Sequence, residues 1–212
     1  MCNHMKPIYD IFDHICEEMN ERMFKPNGLD VGRVGFLIHR QKGANGYCYV
    51  EENWKIDGEG VREIALTDSA ILGGTYQMMT TLAHELIHAV NAFQNVKDCS
   101  GKYHNKKFSV VCDKIGLRFE TASKIGIRTP KQEHPVFIDI YNSLTDSERE
   151  ILNNLSVLLG LGTQSKPKNK NLLVHICPMC GAKARASATT KLLCGECSNE
   201  DDLVAMEVSE GD

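Results

Sequence analysis

Residues 84–88 read H-E-L-I-H, and this pentapeptide constrains the chain more than any other feature. It fits H-E-x-x-H, which sets two imidazoles four residues apart with a carboxylate beside the first. On an α-helix, residues i and i+4 share one face, one turn apart. Two neutral imidazoles placed this way can chelate one zinc ion. Glu85, about 100° further round the helix, can reach a water on that ion. The spacing therefore predicts hydrolysis by a metal-activated water. The surrounding pattern predicts the helix itself over residues 76–94. Met79, Leu82, Leu86, Ala89, Val90 and Phe93 form an apolar stripe, while His84, His88 and Asn91 fall on a separate polar one. Gly73-Gly74 breaks the chain just before it.

A second metal signature lies near the C-terminus. Cys177-x-x-Cys180 and Cys194-x-x-Cys197 are two C-x-x-C pairs separated by thirteen residues. Each pair makes a tight knuckle, and four thiolates close a tetrahedral shell, so this zinc is expected to be structural rather than catalytic. About 35 residues cannot bury an adequate core without such an ion. The other five cysteines are scattered. With no export signal in the mixed, polar start of the chain, they read as reduced thiols, and the expected location is cytoplasmic. No apolar run reaches the length of a membrane span, so no membrane partner is expected.

The chain of 212 residues suits one compact domain plus a small module. Helical spacing marks residues 6–23, ended by Pro26-Asn27-Gly28. Short strands are expected at 33–40, 47–50 and 62–66, separated by glycine-rich turns. A helix is expected from Asn105 to about Ile115. Residues 124–135 read as irregular. A further helix is expected over about 146–159, with Thr145 and Glu148 forming a capping box. The predicted class is α+β: helices packed on a small sheet, followed by a zinc ribbon. The expected divisions are 1–125 for the protease-like domain, 126–170 for a helical connector and basic linker, 171–205 for the ribbon and 206–212 for an acidic tail. A monomer is expected.

A catalytic zinc takes three protein ligands plus water, and H-E-x-x-H supplies two. His104, at the expected start of the helix after a polar loop, is the best third; Asp98 and Asp113 are weaker alternatives. At this point the chain resembles the SprT-like zinc metalloprotease family. The resemblance rests on H-E-L-I-H at 84–88, H-N-K-K-F at 104–108 and Ile115-Gly116. Upstream it rests on residues 42–47 and on Glu63-Ile64-Ala65-Leu66-Thr67, which look like that family's hairpin and pre-helix strand. It covers about residues 5–120, and the four-cysteine ribbon loosely. It implies a zincin-like fold and a zinc endopeptidase with His84, His88 and His104 as ligands and Glu85 as general base. It also implies proteins on, or crosslinked to, DNA as substrates. Tyr47 and Tyr103 are candidates for an oxyanion donor by side-chain type alone.

The formal net charge of −4 argues against a uniformly basic nucleic-acid binder, but the charge is divided. Between residues 163 and 195 stand Lys166, Lys168, Lys170, Lys183, Arg185 and Lys191 with no acidic residue; from Glu196 onward there are seven acidic residues and no basic one. The basic part could follow a DNA backbone. Two other functions fit the same residues: a nucleic-acid-associated adaptor with both zincs structural, or a general quality-control metalloprotease of the cytosol.

Overall fold

The computed structural model describes residues 5–41, 43–101, 103–122, 126–161, 172–187, 189–199 and 202–208. The chain divides into two units, Met1–Thr163 and Gln164–Asp212. It is a mixed helix-and-sheet protein, as the periodicities predict. Among the described residues no helix is long and apolar enough to cross a membrane.

The first unit begins with α1 (Lys6–Met19), which starts on Pro7 at its first turn and buries Ile8, Ile11, Phe12, Ile15 and Met19. The sequence reading carries this helix to residue 23. The structure instead loosens it into a π-turn at Asn20–Phe24 and a 3₁₀ turn at Lys25–Asn27, closed by Gly28 at φ +69°. The main sheet follows: β1 (Val34–His39), β2 (Gly46–Cys48), β3 (Trp54–Ile56) and β4 (Glu59–Thr67). β4 is central. β1 runs parallel to it, β2 and β3 antiparallel. The strand order β1-β4-β2 leaves β2 at an edge. Phe36, Ile64 and Leu66 point to the inner face and are buried.

A short helix α2 (Asp68–Leu72) leads through Gly74 (φ +83°) into α3 (Thr75–Phe93). α3 packs against β4 and β2 and is apolar on nearly every side: Met78, Met79, Leu82, Ala83, Leu86, Ile87, Ala89 and Val90 are all at most 2% exposed. Such a helix is a core element, and the few polar groups it carries need partners. Thr80 and Thr81 bond back to the Tyr76 and Gln77 carbonyls at 2.7 and 2.8 Å.

Beyond α3 comes a second small sheet. β5 (Cys99–Ser100) and β6 (Tyr103–His104) form a hairpin, and β6 pairs with β8 (Gly126–Arg128), which pairs with β7 (Glu120–Ala122). Helix α4 (Lys106–Ile115) lies between them in sequence. Asn105 caps it by accepting from the Lys107 amide at 2.8 Å, and Gly116 closes it at φ +72°. Then come α5 (Pro135–Ser143), α6 (Asp146–Asn153) and α7 (Leu155–Leu158). The capping box of Thr145 and Glu148 is present, but the expected single helix is split after Asn153. Phe137, Ile140, Leu144, Leu152 and Leu155 join the same core as α1 and α3. Residues 126–161, expected as a connector, are therefore an integral part of the first unit.

The second unit contains β9 (Leu172–Ile176), β10 (Lys183–Ser187) and β11 (Glu207–Val208), with β9 central and antiparallel to both. Its described core is small: His175, Cys177 and Cys194.

Candidate metal centre

His84 and His88 stand one turn apart on α3, and β6 brings His104 to them. The three ring nitrogens converge: His84 Nε2 lies 3.2 Å from His104 Nε2, and His88 Nε2 lies 3.1 Å from it. The third imidazole comes from a strand rather than from the start of α4. The local cause is the loop after α3. Asn105 donates its amide to the Asp98 carbonyl at 2.8 Å and its side chain to the Lys97 carbonyl at 3.1 Å. These bonds turn the β5–β6 hairpin back over α3. Phe108, fully buried, forms the floor, its ring 4.6, 5.0 and 4.3 Å from the rings of His84, His88 and His104.

Each imidazole is oriented through its other nitrogen. His88 Nδ1 donates to Asp98 Oδ2 at 2.7 Å, and His104 Nδ1 donates to the Ile127 carbonyl at 2.5 Å. His84 Nδ1 lies 2.9 Å from Thr129 Oγ1. A carboxylate and a carbonyl only accept, so the proton sits on Nδ1 of His88 and His104. With both rings neutral, their Nε2 lone pairs then face each other at 3.1 Å. That arrangement is repulsive unless a cation sits at the convergence. The donor set thus fits a metal ion, and His84, His88 and His104 could hold one. Asp98, one of the weaker ligand candidates in the sequence, serves instead as the partner of His88. It is steadied by Asn91 Nδ2 at 3.0 Å and by the Cys99 thiol. Asp113, on α4, is not among the clustered groups.

Electrostatics follow the same pattern. Burial, reinforced by His88 and His104, holds His84 well below its ordinary pKa. Burial also lowers His104, against an opposing pull from the Ile127 carbonyl. For His88, burial is outweighed by the hydrogen bond to Asp98 and the charges of Glu85 and Asp98, so its pKa rises. Burial pushes Glu85, 4% exposed, up to about 7. A carboxyl poised there can both take and give a proton near neutrality.

These residues border an open cleft of about 1130 Å³ that is also lined by Gly46 and Cys48 of β2. β2 approaches α3 so closely that a Cβ on Gly46 would sit 2.7 Å from Thr81 Cγ2 and 3.0 Å from Glu85 Oε1. Only glycine leaves Glu85 its space. Tyr47, the next residue, turns to the opposite face, where its hydroxyl donates to Glu63 Oε1 at 2.9 Å. It is not aimed at the metal cluster. Tyr103 is half exposed on β6.

Sequence reasoning missed Ile127, Thr129 and Gln132. Gln132, 4% exposed, accepts from the Arg118 amide at 2.9 Å and donates to the Arg118 carbonyl at 3.1 Å. Its own amide meets Thr80 Oγ1 of α3 at 3.3 Å. It thereby fastens the segment that carries Thr129 to the helix that carries His84.

In the second unit, Cys177, Cys180, Cys194 and Cys197 cluster as their spacing predicts and could hold a metal ion. Cys180 Sγ and Cys194 Sγ are 3.6 Å apart. The knuckles close through Gly181 N to Cys177 O and Ser198 N to Cys194 O, both 2.9 Å. Of the basic candidates, Lys183 and Arg185 lie exposed on one face of β10, and Lys191 is exposed. Lys166, Lys168 and Lys170 lie outside the described residues. Neither family models, curated proteins nor solved structures yield a match to this chain.

Proposed function

We propose that the chain is a zinc-dependent endopeptidase of the SprT-like, zincin type, with one catalytic and one structural zinc. The observation that carries this reading is the convergence of three Nε2 lone pairs, from His84, His88 and His104, beside the buried carboxyl of Glu85. Two nitrogens on a tetrahedral ion with bonds of about 2.0–2.1 Å stand about 3.3 Å apart. The separations here are 3.2 and 3.1 Å. Three nitrogen donors with an open corner suit catalytic zinc; four thiolates suit a closed structural site.

His84, His88 and His104 would hold the zinc ion, which when bound would supply a Lewis acid and lower the pKa of a coordinated water towards about 7. Glu85 takes a proton from the attacking water and passes it to the leaving amine. Asp98, Ile127 and Thr129 hold the three imidazoles in the ligating tautomer. Gly46 keeps the edge strand β2 close, so that an extended peptide can add to its free edge beside Glu85. DNA-associated proteins are the narrower form of the proposal. It is supported by the exposed Lys183, Arg185 and Lys191. Cleavage of a basic protein with and without single-stranded DNA tests that form, and equal rates count against it.

Glu85→Gln is the test of the main reading. It is expected to retain two zinc ions by mass and to lose turnover by about 10²–10⁴-fold. Unchanged turnover rules out the role of Glu85, whereas no turnover by either protein with both ions retained favours an adaptor with two structural ions.

A further inference from the structure

The outer face of the main sheet, opposite α3, carries a carboxylate walled by aromatic rings. Glu63 on β4 is 9% exposed. Its neighbour across the strand is Tyr49, whose amide donates to the Glu63 carbonyl at 2.9 Å. Tyr47, two residues before Tyr49 on the same face, gives its hydroxyl to Glu63 Oε1. The two tyrosine rings meet edge-on at 5.3 Å, and His39 of β1 continues the row at 5.7 Å from Tyr47. On the other side Glu63 pairs in register with Gly35 of β1. There the ring of Trp54 lies over Gly35, so close that a Cβ would stand 2.6 Å from Trp54 Cζ3. Glycine at 35 seats the indole.

A carboxylate this buried is stable only if paired or hydrogen-bonded. Glu63 has one hydroxyl donor, and among the described residues no cation forms an ion pair with it. Arg62, its neighbour in sequence, points to the other face and pairs with Glu52. Tyr49 is itself 49% exposed, and Tyr47 and Trp54 are partly exposed. Aromatic faces around a negative group attract organic cations through both the ring quadrupole and the charge.

We infer that Tyr47, Tyr49, Trp54 and Glu63 form a recognition site for a lysine or arginine side chain of an extended polypeptide. The polypeptide runs along the free edge of β2. A strand added there alternates its side chains between the two faces of the sheet. One set meets the metal cleft; the other meets this box. That the recognised residue belongs to a cleaved substrate rests on the protease reading, whereas binding itself does not.

Trp54 is the chain's only tryptophan, so its fluorescence reports on the box directly. The probes are short acetylated, amidated peptides of alternating Thr and Val with one central Lys, Arg, trimethyl-lysine or norleucine. They are titrated into the full-length, zinc-loaded Glu85→Gln protein. The cationic peptides are expected to shift Trp54 emission and to bind about tenfold tighter than the norleucine peptide. Glu63→Gln keeps the size and the acceptor for Tyr47 and should remove most of that preference. Tyr49→Ala, at a half-exposed position, should weaken it if Glu63→Gln proves unstable. Equal affinity for Lys and norleucine peptides, or a preference that survives both substitutions, overturns the inference. Tight cationic binding without cleavage by wild-type protein sinks the endopeptidase reading and leaves the box standing.

Discussion

The two clusters that could hold a metal ion differ in what surrounds them. The histidine cleft sits in a unit with more than thirty buried apolar side chains, from Ile8 to Leu155. The cysteine cluster sits in a unit whose described core is His175, Cys177 and Cys194. On the proposed reading, the protein builds the first site and an ion would add chemistry, whereas in the second an ion would take the place of a core. The same element removed from each should therefore have opposite consequences. Cys177→Ser or a strong chelator is expected to unfold the ribbon, because a structural zinc contributes on the order of 10 kcal/mol of apparent folding free energy. His88→Ala is expected to lose the other zinc while the first unit keeps its cooperative melting. Metal content by mass, with hydrogen exchange over each unit, checks both. A ribbon that stays protected in Cys177→Ser breaks the contrast.

A smaller effect sharpens it. The imidazoles of the cleft depend on partners outside the ligand set; the knuckles close mostly through their own backbone. Asp98→Asn removes the charge that His88 Nδ1 faces at 2.7 Å. Zinc affinity is expected to fall about 10–100-fold, read by competition with a chromophoric chelator, with the ribbon's ion unaffected. An unchanged affinity means that Asp98 does not hold the tautomer of His88.

How much of this was legible in the sequence follows from the range of each signal. The apolar stripe of α3 is local: Met79, Leu82, Leu86, Ala89 and Val90 are buried as read, whereas Phe93, at the helix end, is 49% exposed; the one-turn spacing of His84 and His88 is equally local. His104 was found by residue type and by its resemblance to a family motif. Its place on a strand was not, because two-residue strands such as Tyr103–His104 carry no alternation to read. The partners of His84 and His104 were invisible for a different reason. The Ile127 carbonyl belongs to the backbone, and Thr129 lies 45 residues from His84 in a segment that looked irregular. Helix α5 was missed because Pro135 reads as a breaker, although proline at the first turn behind a capping residue is also a start. Tyr47 was a reasonable oxyanion candidate by chemistry alone. Only the pairing of Tyr47 with Ala65 puts its side chain on the face of the sheet opposite α3 and its histidines.

Gln132 tests whether that hidden support is mechanical. Gln132→Ala leaves the Arg118 amide and carbonyl without their partner in a buried place. The expected cost is about 1–3 kcal/mol in urea unfolding of the first unit. Weaker zinc binding should accompany it, since the Thr129 segment is then held less firmly. Loss of stability with zinc affinity intact separates the two roles.

The smallest expected effect is a pH dependence at the far end of the same segment. His134 Nδ1 accepts from the Val136 amide at 3.2 Å and so caps α5. Its other ring nitrogen donates to the Ile115 carbonyl at the end of α4. One neutral imidazole thus joins two helix ends. Burial lowers its pKa below the ordinary 6.5, partly offset by the Ile115 carbonyl. Below pH 6.5 the unfolded chain takes up this proton before the folded one does, so stability falls as pH drops through that window and is flat above it. Protonation also ends the role of Nδ1 as acceptor, which is worth about 1 kcal/mol as a cap. Asparagine can cap without titrating. The difference in urea stability between wild type and His134→Asn is therefore expected to move in the mutant's favour between pH 7.5 and pH 5.5. Taking the difference cancels the other histidines, including those of the cleft. If the two proteins lose stability in parallel, acid sensitivity resides in the cleft and not in this link.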